Sequence, residues 1–357
     1  MNQFFYFCLF LGISSIMVGV QAQEAVCVEG ENGRVCSNPE ASAPQKVKIA
    51  KGSNEQGKPP DVSMSDCSDR VEPCPQYGRL GECTKNPGWM IVNCPHTCNA
   101  CHLRDYRKRC DRNFLNISTD PVYKPGDMNA MFSTIVDRFS DRYEVNVLST
   151  SPWVVTIDNF LNDAESDALV STVEGTWERS TDTGTANEFG ETGRTISKGR
   201  TSSNAWCRQN CMEHPDVQNV IGKIEEVTYI PGNNYESFQI LQYEEGQFYK
   251  THHDMGLRQK ILPCGPRILT FFLYLSDVEE GGETVFPRLD IKVKPKRGRA
   301  VLWPSTLDES PEDQDPRTHH SAAPVIKGKK YAANAWIHMY DFAKSNLWGC
   351  TGSFDYL

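Results

Sequence analysis

The apolar positions of this chain change their period along its length, and the changes mark its organisation. Phe4 to Val20 is an almost unbroken apolar run. From Gln23 to Asp66 large apolar residues are scarce, and Gly, Pro, Ser, Asn and charge dominate, as in a linker. Cys67 to Cys101 holds six cysteines in a segment too short to bury much core. His102 to Thr150 is polar and mixed, with basic Arg104 to Arg112 and turn-forming Pro121 to Gly126, so it reads as a second, solvated linker. Pro152 to Leu161 then predicts a strand. Asn162 with Glu165 three residues later predicts a capped helix start, followed by Leu169, Val170 and Val173 on one face. Pro215 opens a second helix in which Val217, Val220, Ile221 and Ile224 recur at helical spacing.

Between these helices, Arg179 to Gly199 is rich in Thr, Gly, Ser and Asp and predicts a mobile loop, a candidate lid. After Tyr235 the pattern becomes short strands: Phe238 to Tyr243, Phe248 to Asp254, Ile268 to Leu275, Ala300 to Trp303 and Lys330 to His338. Two helices followed by short strands with Gly and Pro turns predict a mainly β, α+β domain over residues 151–342. Its expected form is a double-stranded β-helix, or jelly roll, with packed helices, leaving 343–357 as a tail.

Composition adds the compartment. The 357 residues, 39% hydrophobic, suffice for one sizeable core plus a small module. A net charge of -9 argues against nucleic acid or an anionic membrane surface as the main partner. The opening apolar run with small residues at Val20 and Ala22 predicts a signal peptide over residues 1–22. If it is retained, the same run is a membrane anchor at the short limit for spanning a bilayer. The 14 cysteines support the secretory pathway, either the endoplasmic reticulum lumen or the exterior, and Asn116-Ile117-Ser118 is a glycosylation acceptor there. Phe354 to Leu357 is no retention tetrapeptide, so residence in the reticulum rests on analogy.

Candidate chemistry lies in two stretches, YEEGQFYKTHHD from Tyr243 and RTHHSAAPVIKGKKYAANAWIH from Arg317. Residues two apart on a strand share a face, so His252 and Asp254 can reach one ion while His253 faces away. A third ligand is expected from the second stretch. Two histidines and one carboxylate leave three positions of an octahedral ion open, which suits a non-haem Fe(II) centre activating O2, whereas a structural zinc site is closed. Lys330 shares a strand face with Ala332, Asn334, Trp336 and His338, and the opposite face is almost wholly apolar. A lysine in such a strand needs an anion.

These two stretches, with PRILTFFLYLSDVEEGGETVFP between them, resemble the catalytic core of the prolyl 4-hydroxylases among 2-oxoglutarate- and Fe(II)-dependent dioxygenases. The family pattern runs Y-x-x-G-Q-x-Y-x-x-H-x-D, G-G-E-T-x-F, then H-x-x-x-P-V-x-x-G-x-K-[WY], and the match covers about Trp153 to Phe342. The resemblance implies His252, Asp254 and His320 as iron ligands and Lys330 as partner of the 2-oxoglutarate distal carboxylate. His320 is taken over His319 because the family's ligand stands four residues before the proline, here Pro324. Tyr243, Thr270 and Trp336 would line the co-substrate pocket, and Arg200, Ser202, Glu236, Tyr249 and His338 would face the peptide. The implied reaction is 4-hydroxylation of peptidyl proline with decarboxylation of 2-oxoglutarate to succinate and CO2, with ascorbate restoring oxidised iron. A proline-rich or collagen-like substrate would bind extended. The segment before the domain lacks the helical pattern of the peptide-binding domain in animal collagen prolyl hydroxylases, which argues against assembly with protein disulfide isomerase. Alternatives are a dioxygenase acting on another residue or a small molecule, and a secreted binding protein on an inert scaffold.

Within the cysteine cluster, Cys94, Cys98 and Cys101 have a spacing that holds iron-sulfur clusters, and His96 or His102 could complete a zinc site. A disulfide-forming lumen opposes both. Six cysteines allow fifteen pairings. The segment resembles the ShK-toxin-like (ShKT) domain, whose pairing implies Cys67 with Cys101, Cys74 with Cys94 and Cys83 with Cys98. Gly88 and Trp89 stand where channel blockers of that family have lysine and an aromatic residue, so an accessory module is expected. Plant prolyl hydroxylases carry the module after the catalytic domain; here it lies in front. Cys27 and Cys36 could close a small loop, and Cys110, Cys207, Cys211, Cys264 and Cys350 remain without an expected partner.

Overall fold

The structure is a computed structural model that describes residues 26–30, 33–37, 67–186 and 192–352. The expected signal peptide, the rest of the 23–66 linker and residues 353–357 lie outside the described residues. Strands β1 (Val26–Gly30) and β2 (Gly33–Ser37) form an antiparallel hairpin that belongs to a separate unit, Met1–Asp61. The backbones of Cys27 and Cys36 are opposite each other there, while a bond between them lies outside the described side chains.

The cysteine-rich segment folds into three short helices, α1 (Cys74–Arg79), α2 (Glu82–Lys85) and α3 (Pro87–Asn93). Disulfides join Cys67 to Cys101, Cys74 to Cys94 and Cys83 to Cys98, the pairs implied by the ShKT resemblance. Its small core is Cys74, Met90 and Cys94 with Val71, Tyr77 and Trp89 against them. So few apolar groups make cross-links the natural source of its stability.

The stretch 102–150 is not a linker. It forms α4 (Tyr106–Arg109), α5 (Arg112–Leu115), α6 (Asp127–Phe139) and β3 (Glu144–Thr150). Helix α6 buries Met128, Met131, Phe132, Ile135 and Phe139. That is one helical face, and the polar residues between its members masked the period when the segment was judged by overall composition. Asp105 and Asp111 cap α4 and α5 by accepting from backbone amides.

The remaining elements follow in order. Strand β4 (Trp153–Asp158) leads to α7 (Asp163–Ser171), which begins with the expected reciprocal Asn162 and Glu165 capping box. Next come β5 (Glu178–Arg179), β6 (Asp182–Ala186), β7 (Thr192–Thr195) and β8 (Ser203–Trp206). The expected loop is thus largely a β6–β7 hairpin, with Asp182 paired to Thr195. Repeated threonine favours strand there, against the turn-forming Gly and Asp that suggested a loop. Helices α8 (Asn210–Glu213) and α9 (Pro215–Thr228) follow; a disulfide joins Cys207 to Cys211 at the start of α8, and α9 buries Val217, Val220 and Ile224.

Then come β9 (Gln239–Tyr243), β10 (Tyr249–His252), β11 (Arg267–Tyr274), β12 (Glu280–Gly281), β13 (Thr284–Phe286), β14 (Ile291–Val293), β15 (Ala300–Pro304), β16 (His320–Ala322), β17 (Val325–Lys327) and β18 (Lys330–His338). Helix α10 (Phe342–Leu347) and a disulfide from Cys350 back to Cys110 tie in the segment expected as a tail, as far as residue 352.

Eight strands form one sheet in the order β3-β4-β15-β11-β18-β9-β8-β5, and four form a second in the order β10-β16-β13-β14. All these pairings are antiparallel. One face of the large sheet packs on the helices, with Leu269, Phe271, Ala335 and Ile337 against residues of α6, α7 and α9. Its other face meets the small sheet through Tyr243, Phe272, Tyr274, Phe286 and Trp303. This is a jelly roll with helices on its large sheet, and the central strands β11 and β18 are buried on both faces, as their nearly continuous apolar sequence requires.

Candidate active site

His252 ends β10 and His320 opens β16, and the two are direct cross-strand partners. Their rings therefore leave the small sheet together, with centroids 4.4 Å apart. Strand β10 stops at His252, short of the expected Asp254, yet the carboxylate still reaches both rings. Nε2 of His252 lies 3.5 Å from Oδ1 and Nε2 of His320 lies 3.6 Å from Oδ2. One donor atom from each of the three lies within 4.8 Å of the others.

The opposite ring nitrogens fix the protons. Nδ1 of His252 faces the Lys250 carbonyl at 2.9 Å, and Nδ1 of His320 faces the Thr318 carbonyl at 3.0 Å. A nitrogen against a carbonyl must carry hydrogen, which leaves each Nε2 lone pair aimed toward Asp254. Burial pushes His320 down to about 4, so it stays neutral. Burial alone would raise Asp254, but His320 and His252, with a hydrogen bond from Thr270, hold it well below the usual carboxylate range. Two imidazole nitrogens and an ionised carboxylate, converging from one side, fit Fe(II) with its remaining positions open. His253 turns away and faces the Asp315 carbonyl and Thr318 hydroxyl, while His319 faces the Pro316 carbonyl.

Thr270 is expected in the co-substrate pocket, but its hydroxyl is engaged elsewhere: it donates to Asp254 Oδ2 at 2.6 Å. Lys330 is fully buried, and its Nζ donates to the Gly282 carbonyl at 2.7 Å. Gly281 and Gly282, both with positive φ, make the turn that brings this carbonyl in. The ammonium lies 5.2 to 5.4 Å from the ring centroids of Tyr243, Phe272 and Tyr274. No ion pair engages it among the described residues, and burial pushes it down to about 7. Nε1 of Trp303, whose ring centroid lies 4.8 Å from that of His320, and Nε1 of Trp336, whose ring lies under Arg267, are buried without hydrogen-bond partners. A buried ammonium with three aromatic rings around it and no ion pair fits an anion as its partner.

A cavity of about 1140 Å³ opens from the three donors, and Tyr243, Trp336, Arg200, Tyr249 and the β6–β7 hairpin line it. The Tyr249 ring stacks on His252 at 3.7 Å, Arg200 lies 4.6 Å over the Tyr249 ring, and the Tyr249 hydroxyl donates to Asp182 of β6 at 3.4 Å. Three residues expected to face a peptide do not line this cavity. The Ser202 hydroxyl donates to that of Ser180, and Glu236 and His338 are buried against each other at 2.8 Å. The other nitrogen of His338 faces the Gly265 carbonyl at 2.9 Å, so the ring has an acceptor on both sides and must be imidazolium. Burial alone would lower His338, but Cys264 and Glu236 push it up to about 10. Burial alone would raise Glu236, but Arg267 and His338 hold it down to about 2.

Among the family descriptions, residues 238–338 match the 2OG-Fe(II) oxygenase superfamily and residues 66–101 match ShK domain-like sequences. A probable prolyl 4-hydroxylase 8 of Arabidopsis thaliana is 32% identical over 248 residues, covering 61% of this chain and 82% of the relative. The chain belongs to the prolyl 4-hydroxylase family. Prolyl 4-hydroxylase 5 of the same plant is 35% identical over 220 residues, covering 56% of this chain and 72% of that one. Among solved structures, a viral collagen prolyl hydroxylase of Paramecium Bursaria Chlorella virus-1, with 2OG, has a TM-score of 0.42 and 29% identity over 52% of this chain and 95% of that one.

One residue of this prolyl 4-hydroxylase site escaped the sequence reading. Arg267 lines the cavity, both oxygens of Glu236 accept from it, its Nη1 donates to the Asp254 carbonyl at 3.2 Å, and its guanidinium lies 3.7 Å over the Trp336 ring. Glu236 and His338 therefore act behind the wall, aiming Arg267. The signal was an arginine opening a strand buried on both faces, a position that needs an internal partner.

Proposed function

We propose that this enzyme 4-hydroxylates prolyl residues of a polypeptide, with 2-oxoglutarate and O2 as co-substrates, and that His252, Asp254 and His320 hold its Fe(II). The convergence of those three donors at the cavity wall carries the reading, and the activity named for its relatives supplies the choice of proline. Bound iron supplies the oxygen chemistry, driven by oxidative decarboxylation of the co-substrate to succinate and CO2.

The chain's own residues prepare the site. Thr270 orients Asp254 so that one oxygen stays directed at the metal. Lys330 takes the distal carboxylate of 2-oxoglutarate at the buried end, where Tyr243, Phe272 and Tyr274 exclude water. Arg267 keeps two N–H groups free of its internal bonds, and these donate to a backbone carbonyl of the substrate. Tyr249 supports His252 from the substrate side, and Arg200 and the β6–β7 hairpin bound the peptide. A proline-rich segment enters at low entropic cost because it is already extended. Five disulfides among the described residues support action in the secretory pathway, with the endoplasmic reticulum as the proposed station.

The test is succinate release by the purified protein with Fe(II) and ascorbate, with and without a polyproline peptide, together with the peptide's mass. Peptide-stimulated turnover with gain of one oxygen, lost in His320→Ala and Lys330→Ala, is expected. Turnover indifferent to the peptide would overturn proline as substrate.

A further inference from the structure

The cavity extends beyond what a 2-oxoglutarate and one prolyl ring require. Its outer arm reaches Arg107 of α4 on one side and the turn Leu257–Ile261 on the other. These two walls are fixed to each other. The Arg112 Nε donates to the Pro263 carbonyl at 3.1 Å, its guanidinium lies 3.9 Å over Tyr340, and the disulfide from Cys110 to Cys350 closes the far edge.

The arm has a distinct chemistry. Leu257 and Ile261 are 72% and 78% exposed, so two aliphatic side chains stand at the cavity's rim without cover. Arg107 and Arg258 are exposed and make no ion pair among the described residues, whereas the neighbouring Lys260 is neutralised by Asp313. Asp111 in the same arm already accepts from the α5 amides, and Glu312 is the other carboxylate of the arm among the described residues. Among the described residues that line the cavity, eight Lys and Arg face five Asp and Glu, in a chain whose net charge is -9. The local sign is thus opposite to the global one, and opposite charges in a cleft select partners.

We propose that this outer arm holds an acidic segment of the substrate polypeptide, flanking the residue that is hydroxylated, with Arg107 and Arg258 pairing its carboxylates and Leu257 and Ile261 covering its aliphatic stems. This rests on the prolyl hydroxylase reading and makes sequence preference a property of the junction between the disulfide module and the catalytic domain. Because the arm is continuous with the reaction site, an acidic flank enters it without a second binding event.

The experiment compares three peptides on the full chain: a short proline-rich peptide, the same peptide extended by Asp and Glu, and the same extended by Lys. The acidic extension should raise kcat/KM about three- to tenfold over the basic one, and less at high salt. The double variant Arg107→Glu, Arg258→Glu should invert that order, while Lys108→Glu, on the same helix but outside the cavity, should keep it. Equal rates for both extensions, or loss of the preference in Lys108→Glu as well, would overturn the proposal. Competition by inorganic sulfate as strong as by the acidic peptide would also overturn it, marking a general anion site. If no peptide gains oxygen while 2-oxoglutarate is still consumed, the prolyl reading falls and takes this inference with it; that outcome differs from a missing preference.

Discussion

At the scale of single residues, the proposed function turns on two buried side chains, Lys330 at the co-substrate end and Thr270 against Asp254. Lys330, pushed down to about 7 by burial, is largely neutral at alkaline pH until a carboxylate arrives. A dicarboxylate raises it again, so binding takes up a proton and weakens as pH climbs above about 7. Calorimetry of 2-oxoglutarate binding in two buffers of different ionisation heat should show that uptake, and Lys330→Arg should abolish it. Thr270→Val removes the hydroxyl that orients Asp254 and should weaken Fe(II) binding about 10- to 100-fold, with little change in global stability. Titration of the metal against a chelator measures this directly. The convergence of His252, Asp254 and His320 was legible because each sits in a short motif with fixed spacing. Glu236, His338 and Arg267 were not, since which of them meets the cavity depends on the register of β18 against β11, with its irregularity at Arg267.

Elements were legible where one period dominated. Strands β9, β11, β15 and β18 and helix α9 read directly, and the capping box at Asn162 located the start of α7. Asn162→Ala should cost about 1 kcal/mol, seen as a lowered denaturation midpoint with the slope unchanged. Helix α6 was lost because its apolar face is diluted by Asn129, Ser133, Thr134 and Asp137. The β6–β7 hairpin is concealed because its glycine and aspartate signal turns while its threonines favour strand. For α6, tertiary contact supplies what local composition conceals: Phe132 packs flat on Trp153, with ring centroids 5.4 Å apart.

For the molecule as a whole, the buried group of Glu236, His338 and Arg267 links folding to pH. Glu236 falls from 4.5 to about 2 on folding, so its contribution is present above about 4.5 and is lost as pH drops toward 2. His338 rises from 6.5 to about 10, so its contribution is full below about 6.5 and fades as pH climbs toward 10. Stability should peak between those two unfolded values and decline through the alkaline range. Glu236→Gln leaves two buried cations facing an amide, should cost about 3 to 5 kcal/mol, and should flatten the alkaline decline. Denaturant melts across pH decide this, and an unchanged alkaline slope in the variant would count against it. The Cys110 to Cys350 bond, which spans 240 residues of sequence, has another consequence. Those residues form a covalent ring that contains His252, Asp254, His320 and Lys330 together. A protease that nicks the ring once cannot release either half, so a cleaved enzyme keeps all its donors on one connected molecule until a reductant opens the clasp.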